Sequence, residues 1–204
     1  ACLHTYELDD ALHHFSQAAQ QRYNFWPRPA LDSLAGLALT KRLLGLEREA
    51  LETVSQMWGF ARELNDPTLI AVAESFYCRF ALLNGELDRA VTWAKTISGD
   101  PVPAEIWAWF EVPAITLARV LIKKGSKSSL MKAEELLSQL RQVTEAHYFV
   151  NQTIEIEVLE ALTHHKLGRS EEALTVLEEV VLLAQPGGWI RPFIEAGSTI
   201  AELL

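Results

Sequence analysis

The chain has 204 residues, 49% of them hydrophobic, enough for one continuous core. Eighteen Lys and Arg against 27 Asp and Glu leave a formal net charge of −9. The basic stripe that a duplex-binding surface needs is not visible: the densest basic stretch, Lys123, Lys124, Lys127 and Lys132, reads as a solvated loop. No apolar run reaches the ~18 residues of a membrane span, and Cys2 and Cys78 offer neither a disulfide framework nor a metal-ligand spacing, a usage suited to a reducing cytosol.

Apolar residues recur three and four apart from end to end, which predicts nine or ten helices and no strand. The first is expected from about Glu7 to Arg22, broken by Trp26-Pro27-Arg28-Pro29. A pair follows at about Ala30 to Leu44 and Glu47 to Leu64, ended by Asn65-Asp66-Pro67, and the next runs from Thr68 to Asn84 and Leu87 to Ile97. Ser98 to Pro103 is the longest turn-rich stretch. Beyond it the pattern gives helices at about Glu105 to Lys124 and Ser129 to Ala146, with Pro113 expected to kink the former. The last pair spans about Asn151 to Leu167 and Ser170 to Ala184; Pro186-Gly187-Gly188 stops it, and a short helix is expected near Ser198.

These elements repeat. Glycines stand at 45, 85, 125 and 168, in steps of 40, 40 and 43 residues. A small residue precedes each by seven, namely Ala38, Cys78, Ala118 and Ala161. An alanine follows at Ala50, Ala90, Ala133 and Ala173, and a weaker copy at the start has Tyr6 and Ala11 in the corresponding places. Self-similarity at this period signals stacked helical hairpins. The glycine ends the first helix in a left-handed turn, and the small residues let the paired helices approach. The repeats fall at about 1–25, 30–65, 68–98, 105–147 and 150–185, with a closing segment at 186–204. Because the chain opens within a repeat and ends at Ala201-Glu202-Leu203-Leu204, apparently inside a helix, it reads as a piece of a longer protein.

The glycine-to-alanine spacing resembles that of the tetratricopeptide hairpin, whose usual period is 34. Three stretches narrow the resemblance: Thr116-Leu117-Ala118-Arg119-Val120-Leu121 with Ala133-Glu134-Glu135-Leu136-Leu137; Leu167-Gly168-Arg169-Ser170-Glu171-Glu172-Ala173-Leu174; and Ala184 to Gly197, containing Gly187-Gly188-Trp189-Ile190-Arg191-Pro192-Phe193-Ile194-Glu195. Together they are similar to the helical-repeat region of MalT-type, ATP-dependent LuxR-family transcriptional regulators. The resemblance implies an all-α, right-handed superhelix of about five tetratricopeptide-like hairpins, a cytoplasmic α-solenoid that senses an effector and takes part in self-association. ATP is expected in a separate domain of the parent protein. This segment carries no phosphate-loop pattern of its own and no cofactor is expected in it. The expected partners are an unknown small-molecule effector or a peptide, with no direct contact to nucleic acid or membrane.

Candidate chemistry is sparse. His13-His14 and His164-His165 are adjacent pairs, about 100° apart on a helix, and no ligand completes either as a metal site. The carboxylates around Glu155, Glu157 and Glu160 sit at helical spacing with no nucleophile or tuned base nearby, so no enzyme is expected. The sharper reading comes from register. The position after each small residue should face the concave groove that first helices line, and it holds Leu39, Arg79, Arg119 and Leu162. Ser75 lies one turn before Arg79, and Asp32, Glu111 and Glu155 fall near the same face. Two recurring guanidinium groups suit an anionic ligand; equally, each arginine can pair with a neighbouring glutamate and hold the repeats in register. Trp107 and Tyr148 are further candidates, as walls of an aromatic cavity near Arg119.

Overall fold

The structure, a computed structural model, describes residues 2–97, 101, 102 and 109–204. Among these residues there are eleven α-helices and no strand: α1 (Leu8–Gln20), α2 (Pro27–Leu43), α3 (Glu47–Leu64), α4 (Pro67–Leu83), α5 (Leu87–Ala94), α6 (Pro113–Lys124), α7 (Lys127–Ala146), α8 (Val150–Lys166), α9 (Ser170–Ala184), α10 (Arg191–Ala196) and α11 (Ser198–Leu203).

The repeating punctuation does what its chemistry demands. Turns of two or three residues join α2 to α3, α4 to α5, α6 to α7 and α8 to α9, so each pair folds back on itself. At the last residue but one before α7, Gly125 takes φ 71°, a left-handed conformation in which a Cβ would be strained. Tyr6, in the glycine place of the first copy, accepts the same strain at φ 66°. Ala38, Cys78, Ala118 and Ala161 are at most 1% exposed, and Ala50, Ala90, Ala133 and Ala173 are completely buried. Each hairpin is thus clamped where its axes come closest, and a larger side chain there overpacks the contact at a cost of about 1–3 kcal/mol.

The hairpins stack into an α-solenoid. First helices α2, α4, α6 and α8 pack on one another in series, while each second helix packs mainly on its own first helix and the one that follows. Closer packing on the first-helix side makes that the inner face. The apolar interior divides into one cluster over α1–α4 and another over α6–α9 and α11, with a small group around Cys78, Ala90 and Val120 between them.

Two features differ from the sequence expectation. Residues 109–112 are not helical, and α6 begins at Pro113 instead of being kinked there. Val112 is extended (φ −120°, ψ 113°), as a residue before proline prefers, and a proline at the first helical position lacks only an N–H that would have no partner. The expected helical residues Glu105 to Ala108 lie outside the described residues. The second feature is α10, which the sequence reading omitted. It packs on α8, with α11 after it, so the closing segment folds back over the inner face. The backbone N–H groups of Ile190 and Arg191 both donate to the His4 carbonyl, at 2.8 and 3.1 Å, and Trp189 stacks on the His4 ring at 5.0 Å. First turn and closing segment therefore meet.

Candidate functional site

The inner face is organised by the extended stretch Trp109–Val112, which crosses between the two main core clusters. Its N–H groups have no helix to join and need other acceptors. Asp32 on α2 supplies them: its carboxylate accepts from the N–H of Phe110 and of Glu111, both at 3.2 Å. Arg28, one turn before, donates to the Glu111 carbonyl, pairs with Asp32 at 3.5 Å and lies over the Trp109 ring at 5.0 Å. From α8, Gln152 donates to the Trp109 carbonyl at 2.8 Å. Pinned in this way, the stretch points the Glu111 side chain inward, where it is completely buried.

Glu111 begins a closed network of three carboxylates and three guanidinium groups. One of its oxygens accepts from Ser75 (2.5 Å) and Thr116 (2.6 Å), and the other from Arg79 Nη1 at 3.1 Å. Arg79, 1% exposed, extends Nη2 to Glu195 on α10 at 2.6 Å, with Glu155 at 4.0 Å. Arg119 on α6 donates to Glu155 and lies 3.8 Å from Glu195. Arg191 on α10 completes the ring, 2.7 Å from Glu155 and 2.8 Å from Glu195. Phe110 supplies the apolar wall, with the Arg79 and Arg191 guanidinium groups at 5.4 and 5.2 Å from its ring centroid.

The charges of this cluster hold one another in place. Burial pushes the Glu155 carboxyl up, but Arg119, Arg191 and Arg79 overcome that and hold it well below the usual carboxylate range. Glu195 is drawn down to about 2 in the same contest, by Arg191, Arg79 and Arg119. Burial works against the Arg79 charge, yet Glu195, Glu155 and Glu111 raise its affinity for the proton. At the edge, burial with Arg191 beside it lowers His4 to about 4, so its ring is neutral when Arg191 Nε donates to its Nδ1 at 3.3 Å.

Five residues singled out from the sequence, Ser75, Arg79, Glu111, Arg119 and Glu155, therefore meet in one network, joined by Asp32 through the backbone of residues 110 and 111. The structure pairs both arginines with glutamates. Tyr148 does not join them: it is 89% exposed, with φ 56°, in the turn between α7 and α8. Trp107 lies outside the described residues. The sequence reading missed Arg191, Glu195, Phe110, Thr116 and His4. An i, i+4 Arg–Glu pair was visible in the closing motif, but only a helix at 191–196 puts the two on one face.

Beside α10 the inner face stays open as a cavity of about 210 Å³. Leu82, Leu83, Ile122, Leu159 and Leu162 form its apolar side, Arg79, Arg119, Glu155 and Glu195 its polar side, and Lys123 and Lys166 also line it. Such a cavity can hold a small molecule, with donors to orient it. Glu155 and Glu195 are held there as anions by the arginines around them. Among the described residues no group of three or more His, Cys, Asp or Glu could hold a metal ion, and no helix is long and apolar enough to cross a membrane.

Residues 5–204 match the family model described as the MalT-like TPR region. No curated protein matches the chain.

Proposed function

Because the chain belongs to the family of MalT-like TPR regions, we propose that it is the effector-sensing and interaction domain of a LuxR-type, ATP-dependent transcriptional regulator, with its binding surface on the inner face of α4, α6 and α8. The observation that carries this reading is the cavity of about 210 Å³ left open between those helices and the closing segment. It joins an apolar wall to a fixed array of charges, and three repeats and α10 all contribute to it. An occupant would thus touch elements far apart in sequence and favour one arrangement of the solenoid over another, which is what a sensor must do. ATP binding and DNA recognition belong, on this reading, to other parts of the parent protein, in the cytoplasm.

One observation favours a second reading, a scaffold that binds a partner's peptide. The inner face already holds a short segment of this chain, α10, through an arginine and a glutamate, and a partner's peptide could be held there in the same manner. A thermal-shift screen of the chain against sugars, amino acids, organic acids, nucleotides and short peptides separates the two. A ligand a hundredfold above its Kd adds about 2.7 kcal/mol to stability. Stabilisation by a small molecule, lost in Leu159→Arg, supports the sensor. Response to peptides alone removes it in favour of the scaffold.

A further inference from the structure

We propose that the effector held in the cavity beside α10 is a small organic anion, an oxyanion headgroup on a short hydrocarbon skeleton. The inference rests on the sensor reading and goes on to name the chemical class.

The buried network contributes no net charge to the cavity, since Arg79, Arg119 and Arg191 match Glu111, Glu155 and Glu195 one for one. The carboxylate oxygens that line the cavity are each already engaged by a guanidinium. Glu155 gives one oxygen to Arg119 and the other to Arg191; Glu195 gives one to Arg191 and the other to Arg79. Unused donor capacity remains at Arg79, while the hydroxyls of Ser198 and Thr199, which also line the cavity, can donate or accept. Arg79 is 1% exposed, lines the cavity, and its Nε–H has no acceptor among the described residues. A buried donor without a partner is destabilising, and an acceptor that reached it from the cavity would relieve that cost. Arg119 bonds Glu155 through Nη2, and its side chain is still 14% exposed.

The charge left over is positive. Lys123 and Lys166, from the ends of α6 and α8, line the cavity and form no ion pair among the described residues. Both also suit the negative ends of their helices, but that role leaves the ammonium groups free to meet a ligand. Opposite them stand the five aliphatic side chains, with no aromatic ring among the lining residues on which a sugar face could stack. The volume sets the size. At ~30 Å³ for each water-sized group, about 210 Å³ holds roughly seven. A carboxylate or phosphate headgroup with about four carbons of skeleton fills the enclosed part and suits both the charge and the walls.

The test compares hexanoate with hexanamide, which share shape and differ in charge, alongside butyl phosphate and maltose, on the full chain by thermal shift and calorimetry. The expected result is stabilisation by hexanoate or butyl phosphate of about 5–10 °C near saturation, with hexanamide and maltose inert. The more effective of the two anions identifies the headgroup. Lys123→Gln with Lys166→Gln, both on exposed side chains, should lower melting of the free chain by only a few degrees and weaken the anion about tenfold or more, each protein read against its own unliganded baseline. Equal binding of hexanamide, an unchanged affinity in the double variant, or no response to either anion overturns the proposal. Binding of maltose alone refutes the anion and leaves the sensor reading standing, whereas response to peptides alone removes both.

Discussion

Replacing Arg79 with methionine tests whether the inner-face network holds the solenoid together. Methionine keeps much of the aliphatic stem but removes the guanidinium that lies over Phe110 and joins Glu111 at 3.1 Å to Glu195 at 2.6 Å. Glu111, Glu155 and Glu195, at most 9% exposed by side chain, are then left with two arginines for three charges. Removing one partner of a buried pair costs about 3–5 kcal/mol, mostly because the survivor stays desolvated. In a domain of this size each kcal/mol lowers Tm by about 2–4 °C, so near neutral pH the variant should melt about 6–20 °C below the parent when followed by circular dichroism. Acid supplies the internal control. Glu195, titrating at about 2, stays ionised in the parent at about pH 4, whereas the unmatched carboxyl of the variant can take up a proton there, so the deficit should shrink. Arg79→Lys keeps the charge but lacks the fork that spans two carboxylates, and should fall between the two. A methionine variant within about 1 kcal/mol of the parent, or a deficit independent of pH, would refute a stabilising role for the Arg79 ion pairs.

Two further consequences concern protons. Burial raises Glu157 on α8 to about 7, with Arg141 opposing and Glu160 and Glu145 adding to the rise. Because its folded pKa exceeds the usual 4.5, its contribution to stability is full below about 4.5 and is lost as pH rises through about 7. Glu157→Gln should therefore stabilise the fold at about pH 8 by the order of 1 kcal/mol, solvent screening included, and much less near pH 4.5; a variant no more stable than the parent in denaturant titrations at the higher pH would sink this account. His4 runs the other way. Burial and Arg191 hold it at about 4, against the pull of Glu155 and Glu195, so it contributes stability that is present above 6.5 and lost as pH falls through about 4. Hydrogen-exchange protection of the Ile190 and Arg191 amides, corrected for intrinsic rates, should drop over that window, and protection that holds through it would show that His4 does not gate the contact.

The repeat was legible because its marks are local demands on backbone and volume. A left-handed residue is needed at Gly125 and a methyl-sized one at Ala118 and Ala133, whatever surrounds them. Register then carried Arg79, Arg119, Ser75 and Glu155 to one face, since a helix fixes where successive turns point; Glu111 reaches it from the extended stretch before Pro113 and not by helical register. What sequence could not supply were tertiary decisions. Apolar residues before Pro113 suit a helix, and only the Asp32 carboxylate, 78 residues from Phe110 in sequence, rewards the extended form. The six-residue helix Arg191–Ala196 is too short to announce itself by periodicity, so Arg191 and Glu195 went unpaired. Tyr148 was an aromatic placed by proximity to other aromatics; the turn takes it outward instead.

The network also determines what the inner face can transmit. Without α10, Arg79 and Arg119 would still balance Glu111 and Glu155, so the closing segment is not required for charge neutrality. Its arginine and glutamate cross-link instead: Glu195 holds α4 and α6 through Arg79 and Arg119, and Arg191 holds α8 through Glu155. The same Arg191 donates to His4, 187 residues away in sequence, and its backbone N–H donates to the His4 carbonyl. One side chain thus couples the cavity wall to the first turn of the domain. An occupant that lies against Glu195 and finds an acceptor-hungry Arg79 must change the energy with which α10 is seated, and by linkage whatever unseats α10 from the first turn must change the occupant's affinity by the same factor. If the inner face senses an effector as proposed, occupancy of the cavity and seating of α10 on the first turn are one equilibrium read from two places.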